Sequence, residues 1–359
     1  MWMMAFLLLP LVGVAYAAWH LWTLLPLAAW AKALLIACGV VSILVMFVGF
    51  AGALDRLPMW AATCCYNIGT SSIFVLLFMV MLFLLLDLGR LCRVVPRDWL
   101  HQNGVASLVV AGTLLAVFTY GFFHYKHKVR VELSLKSEKP LARPLCVVML
   151  SDMHLGYHNQ NAELQRWVNL INAENPDLIL IAGDIIDMSM RPLLEQNMAA
   201  TLATLKAPVY ACLGNHEYYS GDARAQQFFR DAHVTLLRDS CAVAGDLCII
   251  GRDDRTNLQR KSVAELVRTA DASKYTILLD HQPYHLERTE QAGIDFQLSG
   301  HTHRGQVWPV SWITDALYEC SWGSHQRGRT RYYVSSGLGI WGGRYRIGTQ
   351  SEYVVATIE

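Results

Sequence analysis

The sequence predicts an α/β fold preceded by an N-terminal bundle of about four transmembrane helices. Three observations carry this expectation. The 359-residue chain holds 30 Lys and Arg and 29 Asp and Glu, yet only eight of these lie in the first 125 residues. Those 125 residues contain apolar runs of near-membrane length. From residue 145 onward, short apolar runs end in polar or glycine-bearing turns and alternate with helix-like stretches. With 53% hydrophobic and 16% charged residues, a wholly water-soluble globule and a disordered chain are both excluded.

The apolar runs cover about residues 1–25, 34–54, 68–86 and 105–123. Crossing the hydrocarbon core takes about 20 helical residues, and each run is close to that. Charges fall in the gaps, as expected where an ion at bilayer depth costs several kcal/mol. Trp19, Trp22, Trp30, Trp60 and Trp99 sit at or near run ends, where amphipathic rings favour the headgroup region. Ala15-Tyr16-Ala17 has the small residues of a signal-cleavage site, but no basic segment precedes it and further apolar runs follow. Arg90, Arg93 and Arg97 argue for one orientation, and the basic residues between Lys126 and Arg143 for the other. Residues 1–124 are therefore expected to form the membrane domain. Residues 125–144 read as a basic juxtamembrane linker and 145–359 as a water-soluble domain.

Within 145–359, apolar runs at 145–150, 177–182, 208–213, 275–279 and 294–299 read as strands. Helix-like stretches fall near 162–173, 192–205, 222–232, 262–269 and 284–293. Such alternation argues for a sheet whose functional groups gather at the carboxyl ends of its strands. Nearly every candidate ligand follows a strand: Asp152 and His154, Asp184 and Asp187, Asn215 and His216, His281, then His301 and His303.

A net charge of +1 and the lack of any basic tract interleaved with aromatics give nucleic acid no electrostatic footprint. Nine cysteines form no CxxC pair. Cys241 and Cys248 flank a hairpin turn and could pair, although free buried cysteine is the ordinary case.

Asp, His and Asn offer oxygen and imidazole nitrogen donors, which suit Mn²⁺, Fe²⁺ or Zn²⁺. Seven ligands exceed the needs of one ion. Two ions roughly 3.5–4 Å apart would use them all, sharing a carboxylate and a water that becomes nucleophilic near neutral pH. Glycines 183, 214 and 300 permit backbone conformations closed to other residues and close approach to an ion.

In order and spacing, Asp152-x-His154, Gly183-Asp184-x-x-Asp187, Gly214-Asn215-His216-Glu217, His281 and Gly300-His301-x-His303 resemble the signature of calcineurin-like metallophosphoesterases. The resemblance covers residues 145–359 and does not reach the membrane segments. It implies a four-layer α/β/β/α sandwich and a bound pair of divalent metal ions, Mn, Fe or Zn. It implies that Asp152, His154 and His303 bind one ion, that Asn215, His281 and His301 bind the other, and that Asp184 bridges them. His216 would act on the scissile phosphate and Asp187 would orient it.

The tail, with Leu298 to His303, Val334 to Gly339 and Arg346-Ile347-Gly348, is similar to a bacterial membrane-attached subgroup acting on phosphodiesters or lipid-linked phosphates. Arg304 departs from that subgroup's usual glycine. Next to the site, it reads either as a clamp for a second substrate phosphate or an acidic headgroup, or as a solvated loop residue. Asp253 and Asp254 read as a hairpin-to-helix turn, and Trp308, Trp312, Trp322 and Trp341 as core aromatics.

The expectation is a phosphoester hydrolase in the bacterial inner membrane, with the bilayer as partner, a phosphodiester or pyrophosphate substrate that can be lipid-linked, and no nucleic acid. The alternative is a non-catalytic membrane receptor or scaffold that retains the fold.

Overall fold

The computed structural model describes residues 2–50 and 52–359. The chain divides into two compact units, one of Met1–Phe122 with Gly342–Arg344 and one of Phe123–Trp341 with Tyr345–Glu359.

The first unit is helical: α1 (Trp2–Leu24), α2 (Ala29–Phe50), α3 (Met59–Leu91) and α4 (Gly104–Lys126). Among the described residues, Ala29–Gly49, Met59–Leu91 and Gly104–Lys126 are long and apolar enough to cross a membrane. The run expected at 1–25 lies partly outside the described residues. The run expected at 68–86 belongs to a 33-residue helix. At about 1.5 Å per residue this helix measures roughly 50 Å, well beyond the ~30 Å hydrocarbon core. Hydropathy marks the apolar window, not the point at which helical hydrogen bonding stops.

Polar side chains inside α3 bond back to their own helix, Asn67 to the Thr63 carbonyl at 2.8 Å and Thr70 to that of Tyr66 at 2.7 Å. Each bond satisfies a side-chain donor within the helix that carries it. Near the end of α3, Asp87 gathers the Tyr16 hydroxyl (2.7 Å), the His20 ring (2.9 Å) and Arg90 (3.2 Å).

The second unit opens with β1 (Lys128–Leu135) and β2 (Leu145–Leu150), then α5 (Asn161–Ala173) and β3 (Leu178–Ala182). Helices α6 (Arg191–Glu195) and α7 (Met198–Leu202) lead to β4 (Val209–Cys212), followed by α8 (Asn215–Ser220) and α9 (Asp222–Asp231). Strands β5 (Val234–Leu236), β6 (Ser240–Ala244) and β7 (Leu247–Gly251) precede α10 (Val263–Val267), β8 (Tyr275–Leu279), α11 (Leu286–Gln291) and β9 (Phe296–Ser299). The chain ends with α12 (Val310–Leu317), β10 (Gly323–Arg327), β11 (Thr330–Val334) and β12 (Ser351–Ile358).

Two six-stranded mixed sheets result, ordered β1-β12-β2-β3-β4-β5 and β10-β11-β9-β8-β7-β6. The period of two decides the layering. On β2, Val147 and Met149 face the core between the sheets, together with Ile249, Ile277, Leu279 and Phe296 from the other sheet. Val148 and Leu150 face outward onto Trp167, Val168 and Ile171 of α5 and Phe228 and Phe229 of α9. Beneath the second sheet, Ile250 and Leu278 pack on Val263 and Leu266 of α10. The arrangement is the α/β/β/α sandwich.

Several elements differ from the sequence expectation. Residues 128–135, inside the stretch read as a linker, form β1, paired in parallel with β12 from Lys128↔Ser351 to Leu135↔Ile358. Val129, Val131, Leu133 and Leu135 alternate with polar residues there, and the density of basic residues masked that period. The single helix expected at 192–205 is split at Asn197, which sits at φ 49 in the left-handed region. Cys241 and Cys248 are both free, and the hairpin register pairs Val243 with Cys248. Trp312 is 64% exposed and Trp308 39%, so these two are not core aromatics. They stack edge to face on one another at 5.3 Å.

Trp167 is the largest side chain in the layer between α5 and the first sheet. Trp167→Ala should destabilise this unit by about 3–5 kcal/mol, read as an earlier denaturant midpoint of its unfolding transition.

Candidate metal centre

Strands β2, β3 and β4 of one sheet and β8 and β9 of the other end close together, and the turns that follow them carry the candidate residues. Backbone bonds tie these turns to each other: Asp152 N–H to the Gly183 carbonyl (3.1 Å), His154 N–H to Asp184 (2.9 Å) and Gly300 N–H to His281 (2.9 Å). Of the three motif glycines, only Gly183 needs the left-handed region, at φ 77. Gly214 and Gly300 matter for room. A Cβ on Gly214 would lie 2.1 Å from Asp184 Oδ1, and one on Gly300 would lie 2.2 Å from Asp152 Oδ2. The left-handed turns fall on the ligand candidates themselves: Asp152 (φ 53), His154 (45), Asp184 (52), His301 (70) and His303 (47). Non-glycine residues at such angles cost of order 1–3 kcal/mol each and cluster where function requires them.

Three overlapping groups arise, Asp152–His154–His303, His154–Asp184–His216 and Asp184–His281–His301, with ligand atoms within 4.8 Å of one another in each. Asp184 Oδ2 lies 3.0 Å from His281 Nε2 and 3.7 Å from His154 Nε2. Asp152 Oδ1 lies 3.4 Å from His303 Nε2, and the ring nitrogens of His154 and His303 approach to 3.0 Å. Asn215 Oδ1 sits 3.0 Å from His301 Nδ1. Asp187 Oδ1 stands 3.3 Å from both His154 Nδ1 and His216 Nδ1. All nine residues expected in the site from the sequence therefore lie in one place. Arg304 lies beside His303, with its guanidinium 4.2 Å from the Trp322 ring centroid and its Nε buried without a hydrogen-bond partner.

The donors fit a divalent cation. His281 Nδ1 donates to the Ala182 carbonyl at 2.7 Å, which fixes the tautomer and leaves Nε2 as a lone pair. That nitrogen is buried, has no hydrogen-bond partner and faces the Asp184 carboxylate. Two lone pairs facing each other need a positive charge between them, either a proton or a metal ion. The electrostatics agree. Burial would raise the Asp184 pKa, but His281, His216 and His154 hold it well below the usual carboxylate range. Burial would lower His154, yet Asp152 and Asp187 hold it up at about 10. Asp184 likewise outweighs burial at His281 and keeps its pKa well above the ordinary value. Burial, then the neighbouring His281, brings His301 down to about 4.

Some contributors were not assigned from sequence. Glu217 is fully buried and accepts the N–H groups of Asp184 (3.1 Å), Ile186 (2.9 Å) and Gly214 (2.7 Å). It thus joins the turns after β3 and β4. Burial, then Asp184, pushes its pKa up to about 7. Its position inside the Gly214-Asn215-His216-Glu217 motif was the available signal. Asn159 holds the carbonyls of Met153 and His154, each at 3.1 Å. Arg346, fully buried, donates to the carbonyls of His303 (2.7 Å), Gly339 (3.2 Å) and Ser336. Burial lowers its pKa to about 10. Asp253 and Asp254, read as a hairpin-to-helix turn, are 1% exposed and tied into a polar network in which Asp254 accepts from Gln282 at 2.8 Å.

A family model described as calcineurin-like phosphoesterase matches residues 147–305. An uncharacterized metallophosphoesterase of Helicobacter pylori is 29% identical over 299 residues, covering 77% of this chain and 80% of its own length. One from Aquifex aeolicus is 30% identical over 258 residues, covering 68% and 98%. A zebrafish (Danio rerio) protein named transmembrane protein with metallophosphoesterase domain is 27% identical over 327 residues, covering 83% and 74%.

Glu217→Ala would leave three buried N–H groups without an acceptor, at about 1–3 kcal/mol each. The expected outcome is a loss of at least about 3 kcal/mol of stability, measured by chemical denaturation, with Glu217→Gln in between.

Proposed function

Because this chain belongs to the calcineurin-like metallophosphoesterase family, we propose that it is a membrane-anchored phosphohydrolase that uses two divalent cations to cleave phosphodiester or pyrophosphate bonds. The observation that carries this reading is the convergence of Asp152, His154, His303, Asp184, His281 and His301 in overlapping clusters joined through His154 and Asp184, with Asn215 against His301 and the His281 Nε2 lone pair unpartnered. Asp152, His154 and His303 would hold one ion, Asn215, His281 and His301 the other, and Asp184 both. Mn²⁺, Fe²⁺ and Zn²⁺ all suit imidazole and carboxylate donors. Bound cations would supply Lewis acidity, easing a proton from water near neutral pH and offsetting charge on the phosphoryl oxygens.

The protein's own groups do the rest. Asp187 holds the His216 ring through its Nδ1 face at 3.3 Å, which leaves Nε2 to give a proton to the departing oxygen. The His216 main-chain N–H donates to Asp184 Oδ1 at 2.9 Å, fixing that carboxylate while its other oxygen faces the histidines. Arg304, stacked on Trp322 and short of one partner, is placed to contact a substrate phosphoryl oxygen. The helices of residues 1–124 would anchor the protein as a multi-pass component of a bacterial inner membrane. Residues 145–359, joined by the strand-bearing segment 125–144, would form the catalytic domain. The zebrafish relative's name and the three long apolar helices support this division. A site tethered beside a bilayer favours a lipid-linked substrate over nucleic acid.

The purified protein loaded with Mn²⁺ should release nitrophenol from bis-(4-nitrophenyl) phosphate, and chelation should abolish the release. Asp184→Asn should lose most bound metal by elemental analysis and nearly all turnover. His216→Ala should keep the metal and lose at least about a hundredfold in kcat. A metal-loaded protein silent on every phosphoester tried would favour the non-catalytic scaffold, and full turnover by His216→Ala would overturn the role given to that ring.

A further inference from the structure

Three arginines lie on the loop between β7 and α10, and two of them share one carboxylate. Arg252 and Arg260 each donate to Asp280 at 3.0 Å. The other acids nearby are also engaged, Asp253 with Arg238 at 2.7 Å and Asp254 with Gln282 at 2.8 Å. Arg255 pairs with none of these acids. Its guanidinium carbon lies 4.0 Å from the centroid of the Tyr284 ring, and its Nη1 is buried without a hydrogen-bond partner. The Tyr284 hydroxyl donates to that of Tyr318 at 2.9 Å, and the Tyr318 ring centroid is 6.4 Å from that of His301. A guanidinium stacked on a ring, with one nitrogen short of a hydrogen-bond partner, thus stands two aromatic rings from one of the ligand candidates.

A planar cation lying flat on a ring keeps its edge N–H groups in the plane, where they form the fork that matches phosphate oxygens. The guanidinium already covers a face of Tyr284, so that face is closed to a nucleobase and the free chemistry is anionic. The site resembles Arg304 on Trp322 in design, yet it lies on the His301 side rather than beside His303. A substrate with a single phosphoryl group at the metal centre would leave the Arg255 edge empty.

We propose that Arg255, seated on Tyr284 and braced through Tyr318, is a specificity subsite for a second phosphoryl group, so that the preferred substrates carry a diphosphate or an equivalent neighbouring phosphate. This inference rests on the reading of the adjacent cluster as a phosphoesterase centre. The second phosphoryl binds Arg255 without bond change there. Scission stays at the phosphorus held by the metal ligands.

The test compares methylenediphosphonate with methylphosphonate, as competitive inhibitors of bis-(4-nitrophenyl) phosphate hydrolysis and as ligands in calorimetry, with metal in excess. The wild-type protein should bind the diphosphonate more tightly. Arg255→Ala should weaken the diphosphonate at least about tenfold, the scale of a charged hydrogen bond, and change methylphosphonate less than about threefold. Chelation by the diphosphonate is common to both proteins and cancels in the comparison. Arg255→Lys keeps the charge, loses the planar fork, and should fall between the two, which guards against a misfolded alanine variant. Equal weakening of both inhibitors, or an unchanged diphosphonate preference in both variants, overturns the subsite. A wild-type protein that turns over no diester overturns the underlying phosphoesterase reading instead, and calorimetry then still reports whether Arg255 binds the second phosphoryl.

Discussion

One buried carboxylate organises the site. Asp184 is 2% exposed and has imidazoles of His281 and His154 against one oxygen, and the His216 amide against the other. An ionised group in such a place is tolerable only with compensating positive charge. Each neighbouring feature follows from supplying that charge or holding its bearers still. Ala182 fixes the His281 tautomer, Asp187 steadies His154 and His216, and Glu217 clamps the backbone on which Asp184 sits. The two sheets are the frame that lets turns over 100 residues apart in sequence contribute to one cage.

Much of this was legible in the chain. Strands β2, β3 and β8 announce themselves as short apolar runs, because a strand buried on both faces has little need of polar residues. The ligand candidates were legible because each follows such a run and because Asp-x-His and His-x-His spacings recur. Other features were hidden for definite reasons. β1 pairs at a sheet edge, where the water-facing positions carry Arg130, Glu132 and Ser134, so its composition imitates a linker. The helix expected at 192–205 breaks at Asn197, a residue type that enters the left-handed region easily and whose break leaves no trace in hydrophobic period. Asp253 and Asp254 look solvated by composition, but only tertiary structure brings them Tyr218, Arg238 and Gln282 as partners.

Second contributors to the site were harder still to read. Arg346 lies 43 residues beyond His303, and no spacing rule connects them. Its buried guanidinium nonetheless holds the His303 carbonyl and the loop around Ser336 and Gly339 together, as no neutral side chain of similar length could do with so many donors. Asn159 performs the same service for His154 from only five residues away, by a side-chain amide of a kind common in surface turns.

The left-handed backbone at Asp152, His154, Asp184, His301 and His303 has an evolutionary corollary. These positions are conformationally costly for any residue with a side chain, and glycine would relieve the cost while removing the chemistry. Folding would therefore pull these five positions toward glycine, against the ligand chemistry proposed for them. A descendant released from that chemistry should drift toward glycine at these sites and become sturdier.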